Sequence, residues 1–270
     1  MHAGALRRNR CAGCGVLRVV THYATNKPAP PGYDADGYHA RALEQGVNGV
    51  LYWIARALVQ PSLHLYFRMS RYGMEHVPKD GPVIFASNHR SFLDPFVIGT
   101  LTRRPVYYVA KKEHFLHPAR GWVMSRLGAF PVDRGSGDTQ AMETARQILE
   151  RGDCVVIFPE GTRTRPGPLG SPHRGVGRLA LQTGAAVVPV AVFGTEAVRR
   201  GWRVRPHRVR LRCGAPLRFP VDPLPSPDFA EAATERIWSR VVLQWDWLGG
   251  AMPERAILAE PAVPSRARAA

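Results

Sequence analysis

The stretch Val83-Ile-Phe-Ala-Ser-Asn88-His89-Arg90-Ser91-Phe92-Leu93-Asp94-Pro95 decides how the chain folds. Val83–Ala86 is a short apolar run behind Pro82 and reads as a buried strand. Asp94-Pro95 reads as a helix start, because Asp caps helices well and Pro is favoured at the first helical position. The segment is therefore strand, turn, then a helix over Pro95–Leu101. His89 and Asp94 lie five residues apart. On one straight helix that spacing separates them by about 140°, so they meet only if the chain turns between them. Taken alone, the pair is equally consistent with a capping Asp94 and a loop His89.

The same rhythm continues outward. Strands are expected at Val106–Ala110, Ala129–Val132, Cys154–Phe158 and Ala185–Val192. Helices are expected at Pro118–Leu127, after a capping Asp138, at Arg174–Thr183 ending on Gly184, and from Pro227 through Trp247. Such alternation implies an α/β fold with a mainly parallel central sheet flanked by helices and functional groups at strand ends.

Three further strand ends carry distinctive residues. Phe158-Pro159-Glu160-Gly161-Thr162-Arg163 sets a carboxylate and a guanidinium in a turn, and Arg163 can bind phosphate in bidentate fashion. A Glu–Arg ion pair on a surface turn is the plainer reading. Gly128-Ala-Phe-Pro-Val-Asp133-Arg134 also finishes on Arg. Val187-Val-Pro189-Val holds a Pro inside an apolar strand, which predicts an edge or a bulge.

Together, in this order, the four blocks resemble the glycerolipid acyltransferase family, and within it the lysophosphatidic acid acyltransferase branch. The likeness covers about Tyr72 to Glu196 and includes Lys111 in Tyr108-Val-Ala-Lys111-Lys-Glu113. Thr164 stands where Ser is usual, and Arg174-Gly175 where Lys-Gly is common. The resemblance implies a glycerol-3-phosphate acyltransferase-like fold. It implies transfer of an acyl group from acyl-CoA or acyl carrier protein to the free hydroxyl of lysophosphatidic acid. His89 would be the general base and Asp94 would orient it. Arg134 and Arg163 would bind the acceptor phosphate, with Glu160, Gly161 and Thr162 shaping that pocket and Asn88, Ser91 and Lys111 as further substrate-binding candidates. Backbone amides near Asn88 or Gly161 are candidates for the oxyanion. The thioester is a co-substrate, and no cofactor is expected. A different lysolipid acceptor, or a transacylase, fits the same blocks.

The chain carries 37 Lys and Arg against 21 Asp and Glu, a formal net charge of +16. That balance attracts an anionic membrane, an acidic carrier protein or nucleic acid, although an Arg-rich proteome would also produce it. The aromatic stacking pattern of RNA-binding modules is missing, so no nucleic acid partner is expected. Alternation across Arg208-Val-Arg-Leu-Arg212 predicts a strand with one cationic face.

Residues 1–45 read as a flexible lead, with Arg7, Arg8, Arg10 and Arg18 and no apolar core of a signal peptide. Residues 46–71 read as an amphipathic helical segment, either packed on the core or lying in a membrane interface, with Pro61 breaking or kinking the helix. Residues 72–248 would form the acyltransferase domain and 249–270 a disordered tail. No run reaches about 18 uncharged apolar residues, so membrane contact on the cytoplasmic face is expected to be peripheral or monotopic. Cys11 and Cys14 have half the spacing of a zinc site, but no second pair exists, so no metal site is expected.

Overall fold

The computed structural model describes residues 33–133, 139–164, 167–201 and 203–249. The expected lead and tail, Cys11, Cys14, Asp138 and Arg134 therefore lie largely or wholly outside the described residues. The helices are α1 (Ala35–Glu44), α2 (Gly49–Leu65), α3 (Asp94–Ile98), α4 (Pro118–Arg126), α5 (Thr139–Glu150), α6 (Gly175–Thr183) and α7 (Pro227–Gly249). The strands are β1 (Ser70–Tyr72), β2 (Val83–Ser87), β3 (Val106–Lys111), β4 (Ala129–Val132), β5 (Cys154–Ile157), β6 (Ala186–Phe193), β7 (Arg199–Arg200), β8 (Arg203–Val204) and β9 (Arg210–Cys213).

Seven strands form one sheet in the order β1-β9-β6-β2-β5-β3-β4, while β7 and β8 pair as a small separate hairpin. Every pairing in the large sheet is parallel except β6 with β9. The alternation of β2 sorts the core. Ile84 and Ala86 face a cluster with Ala42 of α1, Ile148 of α5, Leu179 of α6 and Ile237 of α7. Val83 and Phe85 face Leu63 of α2 and Val97 and Ile98 of α3. Helices thus cover both faces, as a parallel sheet requires, because its strands have no solvated side.

Three local expectations are corrected. The stretch read as a lead ends in a folded helix: α1 buries Ala42 and His39, whose Nδ1 lies 2.8 Å from Thr144 Oγ1 of α5. Pro61 does not break α2, which runs through it to Leu65. Of the edge or bulge expected at Pro189, the edge is ruled out, since β6 lies between β9 and β2, while the pairing toward β9 slips by one residue between Val187–Leu217 and Val190–Cys213, as at a bulge. Val187 N donates to Leu217 O at an isolated bridge, and the β9 ladder resumes only at Val190. Backbone N–H groups alternate sides along a strand, so the Pro189 nitrogen faces this interruption, where no donor is needed.

Helix α2 explains why its sequence supports two readings. Tyr52, Val59 and Leu63 face inward, and Arg56 donates to Gly99 O at 2.7 Å, tying α2 to the end of α3. On the other side Val50, Trp53, Ile54, Leu58 and Leu65 are exposed. The helix packs on the core and still presents apolar residues outward. Among the described residues no helix is long and apolar enough to cross a membrane.

Candidate active site

The carboxyl ends of three neighbouring parallel strands, β6, β2 and β5, build the site. Strand β2 lies where the connections switch direction, with β5 on one side and β6 on the other. In open α/β sheets this is where a crevice opens.

Asn88 ends β2. Its Nδ2 donates to Val192 O at 3.0 Å and its Oδ1 accepts from Val192 N at 2.9 Å. The side chain imitates a strand and fastens the turn to β6. It is wholly buried. Asn88 is thus a clamp, and its amide is committed to backbone rather than left for substrate.

His89 follows, held on several sides. Its ring stacks on Phe158 at 4.0 Å between centroids and 19° between planes. Its N–H donates to Glu160 Oε1 at 3.0 Å, and its carbonyl accepts from Thr164 N at 2.9 Å. Its Nδ1 lies 2.9 Å from Asp94 Oδ2. No group among the described residues bonds to Nε2.

Asp94 does not cap α3 forwards, as the sequence suggested. It turns back. Oδ2 accepts from Arg90 N and Ser91 N, both at 2.7 Å, as well as meeting His89. Oδ1 accepts from Thr195 Oγ1 at 2.5 Å. The Ser91 hydroxyl in turn accepts from Leu93 N at 3.3 Å. Ser and an acid three residues on, each satisfying backbone N–H groups, form a capping-box arrangement. It is this tight turn that brings His89 and Asp94 together. Four donors converge on a wholly buried carboxylate, which suits its acceptor-only ionised form. An ionised carboxylate only accepts, so the hydrogen of this bond belongs to Nδ1.

Thr195 was not found by sequence reasoning. Gly194 precedes it at φ +90°, and a Cβ there would stand 2.4 Å from Arg208 O, so glycine is required to aim the hydroxyl. A Gly-Thr pair directly after the apolar strand was the available signal. Phe158 and Thr164 stand in or beside the Phe-Pro-Glu-Gly-Thr-Arg block, but no local spacing announces their contacts with His89.

The other expected residues divide. Glu160 is buried with both oxygens engaged, Oε1 by His89 N and Oε2 by Gly170 N at 3.0 Å, so it ties two loops together. Gly161 makes the turn at φ +66°. Thr162 and Arg163 are exposed, and no residue among those described pairs with the Arg163 guanidinium. The Glu160–Arg163 surface ion pair is therefore absent. Lys111 ends β3 and meets Glu113 Oε1 at 2.8 Å. Burial works against the Glu113 charge, but the Lys111 partner outweighs it and holds the carboxyl below its usual range. Among the described residues no cluster of His, Cys, Asp or Glu could hold a metal.

Residues 68–193 match the family model described as Acyltransferase. The chain is 31% identical over 173 residues to a 1-acyl-sn-glycerol-3-phosphate acyltransferase of Bacillus subtilis, covering 63% of this chain and 84% of that protein. The chain belongs to the acyltransferase family. A chloroplastic 1-acyl-sn-glycerol-3-phosphate acyltransferase of Arabidopsis thaliana is 34% identical over 150 residues, 54% of this chain and 42% of that protein. The chain spans less than half the length of that protein and of the chloroplastic relative from Brassica napus. A lyso-ornithine lipid O-acyltransferase of Pseudomonas aeruginosa is 35% identical over 112 residues, 41% of this chain and 43% of that protein. The crystal structure of the 1-acyl-sn-glycerophosphate acyltransferase from Thermotoga maritima shares the fold of this acyltransferase, with TM-score 0.53 and 22% identity. That match covers 77% of this chain and 93% of the other. The acyltransferase match ends on Phe193, so Thr195 lies just outside it.

Proposed function

We propose that this acyltransferase moves a fatty acyl group from the thioester of acyl-CoA or acyl carrier protein to the free hydroxyl of lysophosphatidic acid, forming phosphatidic acid. The observation that carries the reading is His89, its Nδ1 held by Asp94 and its Nε2 without a partner among the described residues. Nε2 takes the proton of the acceptor hydroxyl as that oxygen attacks the thioester carbon. Asp94 stabilises the imidazolium that results. The tetrahedral intermediate collapses, the C–S bond breaks, and the imidazolium returns its proton to the departing thiolate. The acceptor oxygen is the nucleophile, so no acyl-enzyme forms. Ser91 serves the turn through its hydroxyl and backbone N–H.

Arg163, whose guanidinium has no partner among the described residues, precedes Thr164, which bonds the His89 carbonyl, and so suits the acceptor phosphate. Arg134, outside the described residues, is its expected companion. A cavity of about 290 Å³ lies between α2 and α3, lined by Leu58, Leu63, Phe67, Leu93 and Phe96 among others. It adjoins Asp94 through Leu93 and suits the acyl chain, each buried methylene contributing about 0.8 kcal/mol. The exposed apolar side of α2, with Phe92 and Phe96 beside the catalytic turn, favours work at a membrane surface, and the net charge of +16 suits an anionic one.

A second reading keeps the chemistry and changes the acceptor. The acceptor is then the lyso-ornithine lipid named for the Pseudomonas aeruginosa relative. Purified protein offered acyl-CoA with lysophosphatidic acid, lysophosphatidylcholine or a lyso-ornithine lipid separates the two. Preference for lysophosphatidic acid, abolished in His89→Ala, supports the proposal. Full activity in His89→Ala would sink it.

A further inference from the structure

Between Glu196 and Asp222 the chain has eight arginines and no acidic residue. Two of them are absorbed by packing. Arg210 lies over Phe193, and Arg212 lies over Trp247 and donates to Gln244 Oε1. The expected cationic face of β9 is therefore largely covered. Residues 203–208, by contrast, are all exposed, and among the described residues no carboxylate pairs with Arg205 or Arg208.

This basic excursion is fixed to the end of α2. Tyr66 Oη donates to Val204 O at 3.1 Å. Val209 N donates to Phe67 O and Ser70 N to Val209 O, each at 3.0 Å. Arg205 N donates to Val198 O at 2.8 Å. These bonds enclose a pocket of about 400 Å³ lined by Tyr66, Arg68, Pro206, His207 and Arg208. Arg68 has φ +45°, the one non-glycine residue with positive φ among those described. A bulky residue held there is strained, and such strain tends to collect at functional positions. Arg68 is exposed, and no carboxylate among the described residues pairs with it.

We propose that this pocket seats the phosphate headgroup of an anionic bilayer phospholipid. Charge alone would suit nucleic acid equally well. The rim decides: Leu65 is 80% exposed, Val204 47% and Tyr66 45%. Apolar groups beside a phosphate site gain from an acyl layer and gain nothing from a polynucleotide backbone. The rim also continues the exposed side of α2, which runs on to the cavity beside Leu93 and Phe96. The pocket rests on the membrane reading given above and is independent of which lysolipid is acylated.

Flotation with phosphatidylcholine vesicles, with and without phosphatidylglycerol, tests the site on the full chain. Each basic residue near an anionic surface contributes about fivefold, so Arg68→Asn with Arg208→Gln should weaken binding to the anionic vesicles about 30-fold. Asn tolerates positive φ, which spares the backbone at position 68. The pair Arg103→Gln with Arg178→Gln removes the same charge from other exposed positions and should change binding little. If Arg68→Asn melts early, Arg208→Gln alone should still weaken binding about fivefold. Equal losses in the two pairs, or no loss in the pocket pair, would overturn the site. So would wild-type protein that binds duplex DNA, but not the vesicles, through the same two arginines. His89→Ala should float like wild type, so failure of the catalytic reading stays distinguishable from failure of this one.

Discussion

The Thr195 hydroxyl lies 2.5 Å from Asp94 Oδ1, although 101 residues separate the two in the chain. Strand β6 delivers the hydroxyl to a carboxylate whose other oxygen already holds His89, Arg90 N and Ser91 N. Hydrogen bonds to a charged group contribute about 1.5–3 kcal/mol. Thr195→Val should lower kcat by about tenfold or more with KM nearly unchanged, while Thr195→Ser retains most activity. A KM change without a kcat change would contradict the positioning role.

Asp94→Asn keeps the size of the side chain but reverses part of its chemistry. An amide NH2 would face backbone N–H groups or the imidazole, and the wrong His89 tautomer would be favoured. Loss of the orienting carboxylate in comparable sites costs about 10⁴-fold in kcat. Steady-state kinetics with saturating thioester should show a fall of about that size.

Asn88→Ala should report stability before chemistry. It strands both the N–H and the carbonyl of Val192 in a wholly buried place. Each unsatisfied group costs about 1–3 kcal/mol, so unfolding free energy should fall by about 2–6 kcal/mol in urea titration. A fall under about 0.5 kcal/mol would mean that the clamp contributes little.

Arg163→Ala should raise KM for lysophosphatidic acid about 10–100-fold and leave kcat nearly intact, because a charge-assisted pair to phosphate is lost. Equal KM values in wild type and variant would remove Arg163 from the acceptor site.

Burial pushes the Cys154 thiol up to about 11 and the Cys213 thiol up to about 12. Desolvation likewise raises Tyr52, Tyr107 and Tyr108. Each group is neutral when protonated, and its folded pKa exceeds its unfolded one. The unfolded chain therefore releases these protons first as pH rises. Their contribution to stability is full below about pH 8.5 and declines as pH climbs toward 12. Melting temperature should fall steadily across that range. Site-resolved alkylation at pH 8 should leave Cys154 and Cys213 unmodified until denaturant is added.

The sequence by itself determined the strand–turn–helix at His89, the alternating α/β order and the places where strands end. These are local matters: apolar runs, Pro and Gly positions, and turn residues act through near neighbours. It also supplied the pairing of His89 with Asp94, once a turn was required between them. Only the tertiary structure decided which other groups surround that pair. Thr195, Phe158 and Glu160 arrive because β6 and β5 flank β2, and no local spacing encodes strand order. For the same reason Asn88 and Glu160 left the substrate's side of the site and became fasteners. Their polar atoms are satisfied by backbone groups of Val192, His89 and Gly170, distant in sequence or set by loop closure. Helix α2 shows the same division. Its composition announced two apolar sides, and only docking on Phe85 and Val97 decided which of them is buried and which is left to face outward.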